Sequence, residues 1–307
     1  MRFANLKKYR FIRSLYDKFN PFTGVILMLH RVVETRSLIE DNRKLEITPD
    51  FLEKTIREYK AKGYHFANID EVYQIQMSGD RSRYPFVCFT FDDGFRDNLM
   101  LAYPIFEKYN VPFTVYITSG FVDKKAYVWW YRLEELLLQI DKLVLADGAT
   151  HPCRTSEEKN ELFQLVATVL RIAPEENVRN FIEALFLQNG LTFSGTADNE
   201  EMLSWDNVRA LQKSGLCTIG SHGVNHVSLT YLDDTRLLYE LDESKTEIEM
   251  QIGCRVSHFA YPYGDFDERI ACAVKTCGYL SAVKIEGGRQ RVNQNPFAFK
   301  REGIFET

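Results

Sequence analysis

Short apolar runs alternate with segments of helical spacing along most of this chain, and that alternation confines the fold to a parallel α/β sheet or a (β/α) barrel. Residues 24–29 form a continuous apolar run that ends at His30, which reads as a buried strand delivering a polar residue at its tip. Thr48 is the expected N-cap of the next helix, with Pro49 at its first position, Leu52 and Ile56 on its apolar face and Gly63 as the stop. The pattern returns with a strand at 86–91, a helix at about 99–109 and a strand at 113–117. Later come a helix at 204–214, a strand at 217–220, a long helix at about 233–252 and a strand at 257–261. A helix at about 266–277 and strands at 279–283 and near 298–304 complete the series.

Between about 121 and 203 the alternation stops, and apolar residues recur at helical spacing in 130–140, 157–171 and 176–187. This stretch reads as a largely helical insertion on the side where the strands end, within one domain spanning 24–307. Its entry, Trp129-Trp130-Tyr131, suits buried packing better than stacking on a sugar. Residues 1–23 form a separate basic, amphipathic segment, with Arg2, Lys7, Lys8, Arg10, Arg13 and Lys18 interleaved among aromatic and aliphatic residues. Packing on the domain is the preferred reading for it, and peripheral contact of residues 1–20 with an anionic inner membrane face is the competing one. Neither a signal-type apolar stretch nor a membrane-length run is present in the sequence, so a cytoplasmic location is expected.

Composition narrows the partner class. With 307 residues, 45% of them hydrophobic, the chain can bury a substantial core. Thirty-eight basic residues against 43 acidic ones give a net charge of -5, which excludes any general case for nucleic-acid binding. The six cysteines match no zinc-finger spacing and are expected to be reduced and mostly buried.

Three strand-end segments carry the chemistry. In Phe89-Thr90-Phe91-Asp92-Asp93-Gly94, two carboxylates follow a buried strand, and one can bind a cation while the other takes a proton from water. In Ser221-His222-Gly223-Val224-Asn225-His226, two imidazoles stand four residues apart, a spacing that on a helical turn would put both rings on one face. In Phe259-Ala260-Tyr261-Pro262-Tyr263-Gly264, a strand stops at a Pro-aromatic-Gly turn that a barrel would place on the same rim. Each segment alone reads as an ordinary turn or a chance pair.

Together and in this order they resemble the motifs of the polysaccharide deacetylase family, also called carbohydrate esterase family 4 or the NodB-homology domain. The resemblance implies a distorted (β/α) barrel and hydrolysis of the N-acetyl group of amino sugars in an N-acetylated glycan. It also implies a divalent metal, usually zinc with cobalt or nickel as alternatives, held by Asp93, His222 and His226. Asp92 would be the general base, and the backbone N–H of Tyr263 a donor to the developing oxyanion.

Two departures follow. The usual family form has a Leu-x-His motif late in the chain, whereas no histidine follows His258 here. Leu27-Met28-Leu29-His30 resembles that motif at the opposite end, as in circularly permuted members, which implies His30 as the general acid. The third motif also lacks the arginine often found before its proline, and Arg301 is the candidate to replace it. His258 is expected to pack inside a strand, and His65 and His151 to lie in loops. A same-fold amidohydrolase on a small amide and a catalytically silent glycan-binding protein remain the competing functions.

Overall fold

The computed structural model describes residues 22–79, 83–193 and 201–306. The basic segment 1–23 therefore lies outside the described residues except for Phe22 and Thr23, which already belong to the first strand, Phe22–Leu29. Parallel strands follow in spatial order: Phe22–Leu29, Phe86–Phe91, Phe113–Ile117, Cys217–Ser221, His258–Ala260 and Ser281–Lys284. The chain's last segment closes this sheet into a nearly complete barrel. Phe299–Lys300 pairs with Ser281–Lys284 on one edge, and Glu302–Gly303 pairs with Phe22–Leu29 on the other. The single strand expected over 298–304 is thus two short pairings, with Arg301 at the crossing between them.

Strand alternation sorts residues between the barrel interior and the surrounding helices. Ile26, Phe86, Cys88, Tyr116, Ala260 and Val283 share the interior cluster, whereas Leu27, Val87, Phe89, Phe91 and Phe259 pack with the outer helices. Continuing the inward series past the strand ends reaches His30 after Ile26 and Met28, and Asp92 after Phe86, Cys88 and Thr90. Gly220 belongs to the same series, and a Cβ there would sit 2.4 Å from the Tyr116 ring.

The expected helices form with small boundary changes. Pro49–Ala61 is capped by Thr48, whose side chain accepts from the Phe51 N–H at 3.3 Å. The helix expected over 233–252 contains a π-helical turn at Tyr239–Glu243 between Asp234–Leu238 and Ser244–Ile252. Glu240 and Leu241 are both buried within that wider turn. Helix Ile69–Ser78 was not apparent in the sequence; it plugs the barrel floor with Ile69, Val72 and Ile75.

Between Val122 and Trp205 the chain leaves the barrel sheet for helices Trp129–Gln139, Ser156–Leu170 and Glu175–Gln188. A hairpin of Lys142–Val144 and Thr150–Pro152 lies between the first two, in a stretch for which the sequence suggested no element. Trp129, Trp130, Leu133, Phe163 and Ile182 pack with Phe95 and Phe121 in one cluster, so this stretch sits on the rim of the barrel. His65 and His151 are not in loops: His65 pairs in a strand beside Phe86, and His151 lies in the hairpin. His258 is buried as expected, but by polar partners, with Nδ1 2.7 Å from Ser281 Oγ and Nε2 2.9 Å from Asp70 Oδ1. All six cysteines are free, and Cys254 and Cys272 are exposed, so fewer are buried than expected. Among the described residues, no helix is long and apolar enough to cross a membrane.

Candidate active site

The three motif loops meet at the C-terminal ends of their strands. Backbone bonds anchor two of them to the neighbouring strands: Asp92 N–H donates to Leu29 O at 3.0 Å, and His222 N–H to Ile117 O at 2.8 Å. Asp92 and Asp93 point to different tasks because the chain turns sharply between them. Asp93 has a φ of +73°, and Gly94 follows at +86°, a conformation that favours glycine.

Asp93 Oδ1 lies 3.5 Å from His222 Nε2 and 3.3 Å from His226 Nε2. Ligand atoms of these three residues all fall within 4.8 Å of one another. The histidines do not reach this arrangement from one helical turn, as their spacing suggests. His226 stands in an irregular loop with a φ of +54°, after Gly223 at +83°, and these left-handed residues fold the loop back on itself. His222 Nδ1 lies 2.8 Å from Ala260 O, to which it donates, leaving Nε2 as the lone-pair nitrogen.

The trio fits a divalent cation on two grounds. Asp93 Oδ1 is buried without a hydrogen-bond partner, which an interior carboxylate tolerates poorly unless a cation completes it. Burial and the adjacent Asp92 charge push the Asp93 carboxyl well above its ordinary pKa. Burial pushes His226 well below its ordinary value, with His222 and His30 adding to the effect, so the ring stays in the neutral, ligating form.

Asp92 is held quite differently. Arg301 donates through Nη1 to Oδ1 and through Nη2 to Oδ2, each at 2.6 Å, while both side chains are almost completely buried. Burial alone would raise this carboxyl, but Arg301 outweighs it and, with His222 and His30, drives the pKa strongly downward. Arg301 is thus the side chain that orients Asp92 in this structure. Its approach depends on the strand crossing at the barrel closure, which local sequence does not reveal. Replacing Arg301 with Gln is expected to destabilise the fold by about 3–5 kcal/mol, as for loss of one partner from a buried pair, measured by urea unfolding. An unchanged unfolding midpoint would contradict this description of the pair.

His30 enters from the end of the first strand, its Nε2 3.9 Å from Asp92 Oδ2. Burial pushes its pKa down to about 4 although Asp92 pulls upward, so the ring is neutral in the free protein at neutral pH. Asn98 fixes the backbone there by donating to His30 O at 2.9 Å. Tyr263 has a φ of +57°, and its ring lies 4.6 Å from that of His226. Gly264 follows at +75°, where a Cβ would meet Ile285 at 2.7 Å, so the turn requires glycine.

Glu240 was missed by sequence reasoning, since an acid inside a long helix carries no positional signal. Its carboxylate accepts from the N–H groups of Val224 and Asn225 at 2.8 and 2.9 Å, and from the Asn225 amide at 2.7 Å. It thereby shapes the loop that carries both histidines. Glu240→Gln is expected to weaken metal affinity about 10–100-fold, the usual effect of removing an outer partner of a metal site. Competition with a chromophoric chelator measures it, and unchanged affinity would show that the loop holds its shape without Glu240.

These residues open into a cavity of about 280 Å³, walled on the insertion side by Trp129, Trp130, Phe163 and Arg171. The two tryptophans are buried as expected, yet they also form the wall of the cleft, and Trp130 lies 5.3 Å from the His226 ring.

A family model for polysaccharide deacetylases matches residues 80–282. The chain belongs to the polysaccharide deacetylase family. Members of this family are metal-dependent hydrolases of N-acetyl groups on glycans, and the trio of buried Asp93 and His222 with the partly buried His226 is this deacetylase's candidate metal centre. Solved structures show the same fold. The deacetylase PplD of Streptococcus pyogenes, in complex with acetate, superposes with a TM-score of 0.64 at 18% identity, covering 93% of each chain. A de-N-acetylase from Aggregatibacter actinomycetemcomitans gives 0.61 at 17% identity, over 92% of this chain and 95% of that one. IcaB from Ammonifex degensii gives 0.59 at 17% identity, over 92% of each. No curated protein matches this deacetylase by sequence.

Proposed function

We propose that this chain removes the acetyl group from an N-acetylated amino sugar within a polysaccharide, an oligosaccharide or a lipid-linked glycan. The observation that carries this reading is the contrast between adjacent aspartates, Asp93 facing two imidazoles and Asp92 locked by Arg301. One carboxylate is arranged to ligate and the other to accept a proton.

Asp93, His222 and His226 would hold the ion, and two imidazoles with one carboxylate favour zinc or a similar divalent metal. Such an ion, when bound, polarises the acetyl carbonyl and makes water more acidic. Asp92, kept ionised by Arg301, accepts the proton as the water oxygen adds to the acetyl carbon. The backbone N–H of Tyr263 would steady the developing oxyanion. When the C–N bond breaks, His30 supplies the proton that the sugar amine needs, and acetate leaves. Because that ring is neutral in the free protein, it first takes up the water's proton from Asp92, 3.9 Å away, as negative charge builds beside it, and then passes that proton to the amine, leaving Asp92 ionised again. His30 at the start of the chain serves where the usual family form has a late histidine, as a permuted order would have it. Supporting this, the first strand pairs directly with the chain's last one, Leu27 opposite Glu302 and Met28 opposite Gly303.

Acetate release from N-acetylglucosamine oligomers and from cell-surface glycans tests the reading. Activity is expected to vanish on chelation and to return with zinc, cobalt or nickel. Metal-loaded protein that releases no acetate from any glycan would overturn it. The catalytically silent alternative is disfavoured because a glycan-binding protein has no use for a buried arginine holding Asp92 ionised.

A further inference from the structure

The base of the barrel carries a groove remote from the metal cleft. It has a volume of about 390 Å³, and Arg289, Arg291 and Lys300 line it together with Gly288, Asn293 and Gln294. Gln290–Arg291 runs antiparallel to the start of the first strand, with Arg291 opposite Phe22 and Gln290 opposite Gly24. His30 follows the far end of that strand, whose eight residues span roughly 25 Å. The groove and the metal cleft therefore lie at opposite ends of the barrel.

Local contacts place these cations. The Arg289 guanidinium lies over the Phe22 ring at 5.0 Å from its centre. The Lys300 stem runs beside Gly288, where a Cβ would meet its Cδ at 3.3 Å. The buried Gln290 donates through its side-chain amide to Lys300 O, and Arg291 N–H donates to Gln294 Oε1 at 3.3 Å. Among the described residues, the lining holds three basic side chains and no acidic one. Glu286 lies 3.9 Å from Lys300 Nζ but pairs more closely with Lys284, at 2.5 Å. Glu302 shares the neighbourhood of Arg289, since the two charges bear with opposite sign on the Tyr59 hydroxyl. Four basic groups against two acidic ones leave this face positive, in a chain whose net charge is -5.

The sequence extends that charge. Phe22 is joined to residues 1–21, which carry Arg2, Lys7, Lys8, Arg10, Arg13 and Lys18 against one acid, Asp17. These cations are interleaved with aromatic and aliphatic residues such as Phe3, Leu6, Phe11 and Phe19. A nucleic-acid or free-phosphate site needs the cations but not that apolar content, whereas a lipid interface uses both. Arg289 is exposed, and the Lys300 side chain is 38% exposed, so their charges can reach a plane of phosphates laid across the groove.

We propose that this groove docks the protein on an anionic phospholipid membrane, with Arg289, Arg291 and Lys300 contacting headgroup phosphates beside the basic N-terminal segment. The metal cleft then opens at the end of the barrel away from the lipid. The proposal does not depend on the deacetylase reading. It is tested by flotation of the full chain with vesicles of phosphatidylcholine, alone or mixed with phosphatidylglycerol. Two double variants accompany the parent: Arg289→Gln with Lys300→Gln, and Arg289→Lys with Lys300→Arg. The parent should bind the mixed vesicles, leave phosphatidylcholine alone unbound, and be released by high salt. The neutral double variant should partition about 25-fold more weakly, about fivefold for each cation lost, and the charge-keeping one like the parent. Equal partitioning of the neutral variant, an equal loss in the charge-keeping one, equal binding to phosphatidylcholine alone, or no vesicle binding would each overturn the proposal. Calorimetry with inorganic phosphate and with an oligonucleotide identifies the other anions: binding of either without vesicle binding would also overturn it.

Discussion

Asp92→Asn should retain its metal ion while turnover falls by at least about 10²–10⁴-fold, the range that general-base catalysis supplies. The amide cannot accept the water's proton, but Asp93, His222 and His226 remain to bind the ion. His222→Ala should lose metal and activity together, because it removes one nitrogen from the trio and the ring whose orientation Ala260 fixes. Metal content and acetate release measured on both folded variants separate the two roles. Metal loss from Asp92→Asn would mean that the two aspartates exchange functions. The asparagine also leaves Arg301 with a neutral partner in a buried setting, so a lower melting temperature is expected with the activity loss.

The second large effect is expected at His30. His30→Ala should lower turnover by about 10²–10⁴-fold without changing metal content, as expected for a missing general acid. His30 is outside the ligand trio, its nearest charged partner being Asp92 at 3.9 Å, so the ion does not depend on it. His30 also sits on the inward-facing series of the first strand, so alanine at that strand end opens space rather than creating a clash. Near-normal turnover of folded His30→Ala would remove it from the mechanism and, with it, the permuted reading of the chain.

The strand-helix alternation was legible because each barrel strand is buried on both faces and each outer helix has one apolar side. It predicted the strands at 86–91 and 113–117 to the residue. Asp92 and His30 converge because each continues the inward series of its strand, and the two strands are paired with Leu29 opposite Phe91. Features that depend on distant chain segments were less accessible. Arg301 reaches Asp92 only because the last strand crosses from one barrel edge to the other, and nothing near residue 301 announces that crossing. Glu240 reaches the histidine loop from a π-helical turn that an uninterrupted helical pattern conceals. The histidine pair shows a different gap, because a four-residue spacing suggested a helix where left-handed residues in a loop bring the rings together. Identity of the ligands was therefore readable before their geometry.

The division between Asp93 and Asp92 is tested most directly by a crystal structure of the zinc-loaded protein, with the ion located by its anomalous scattering. Asp93, His222 and His226 should each place one atom about 2.0–2.2 Å from the ion, with Asp92 outside the ligand set and still paired with Arg301. An ion ligated by Asp92, or one bound away from this trio, would contradict the account.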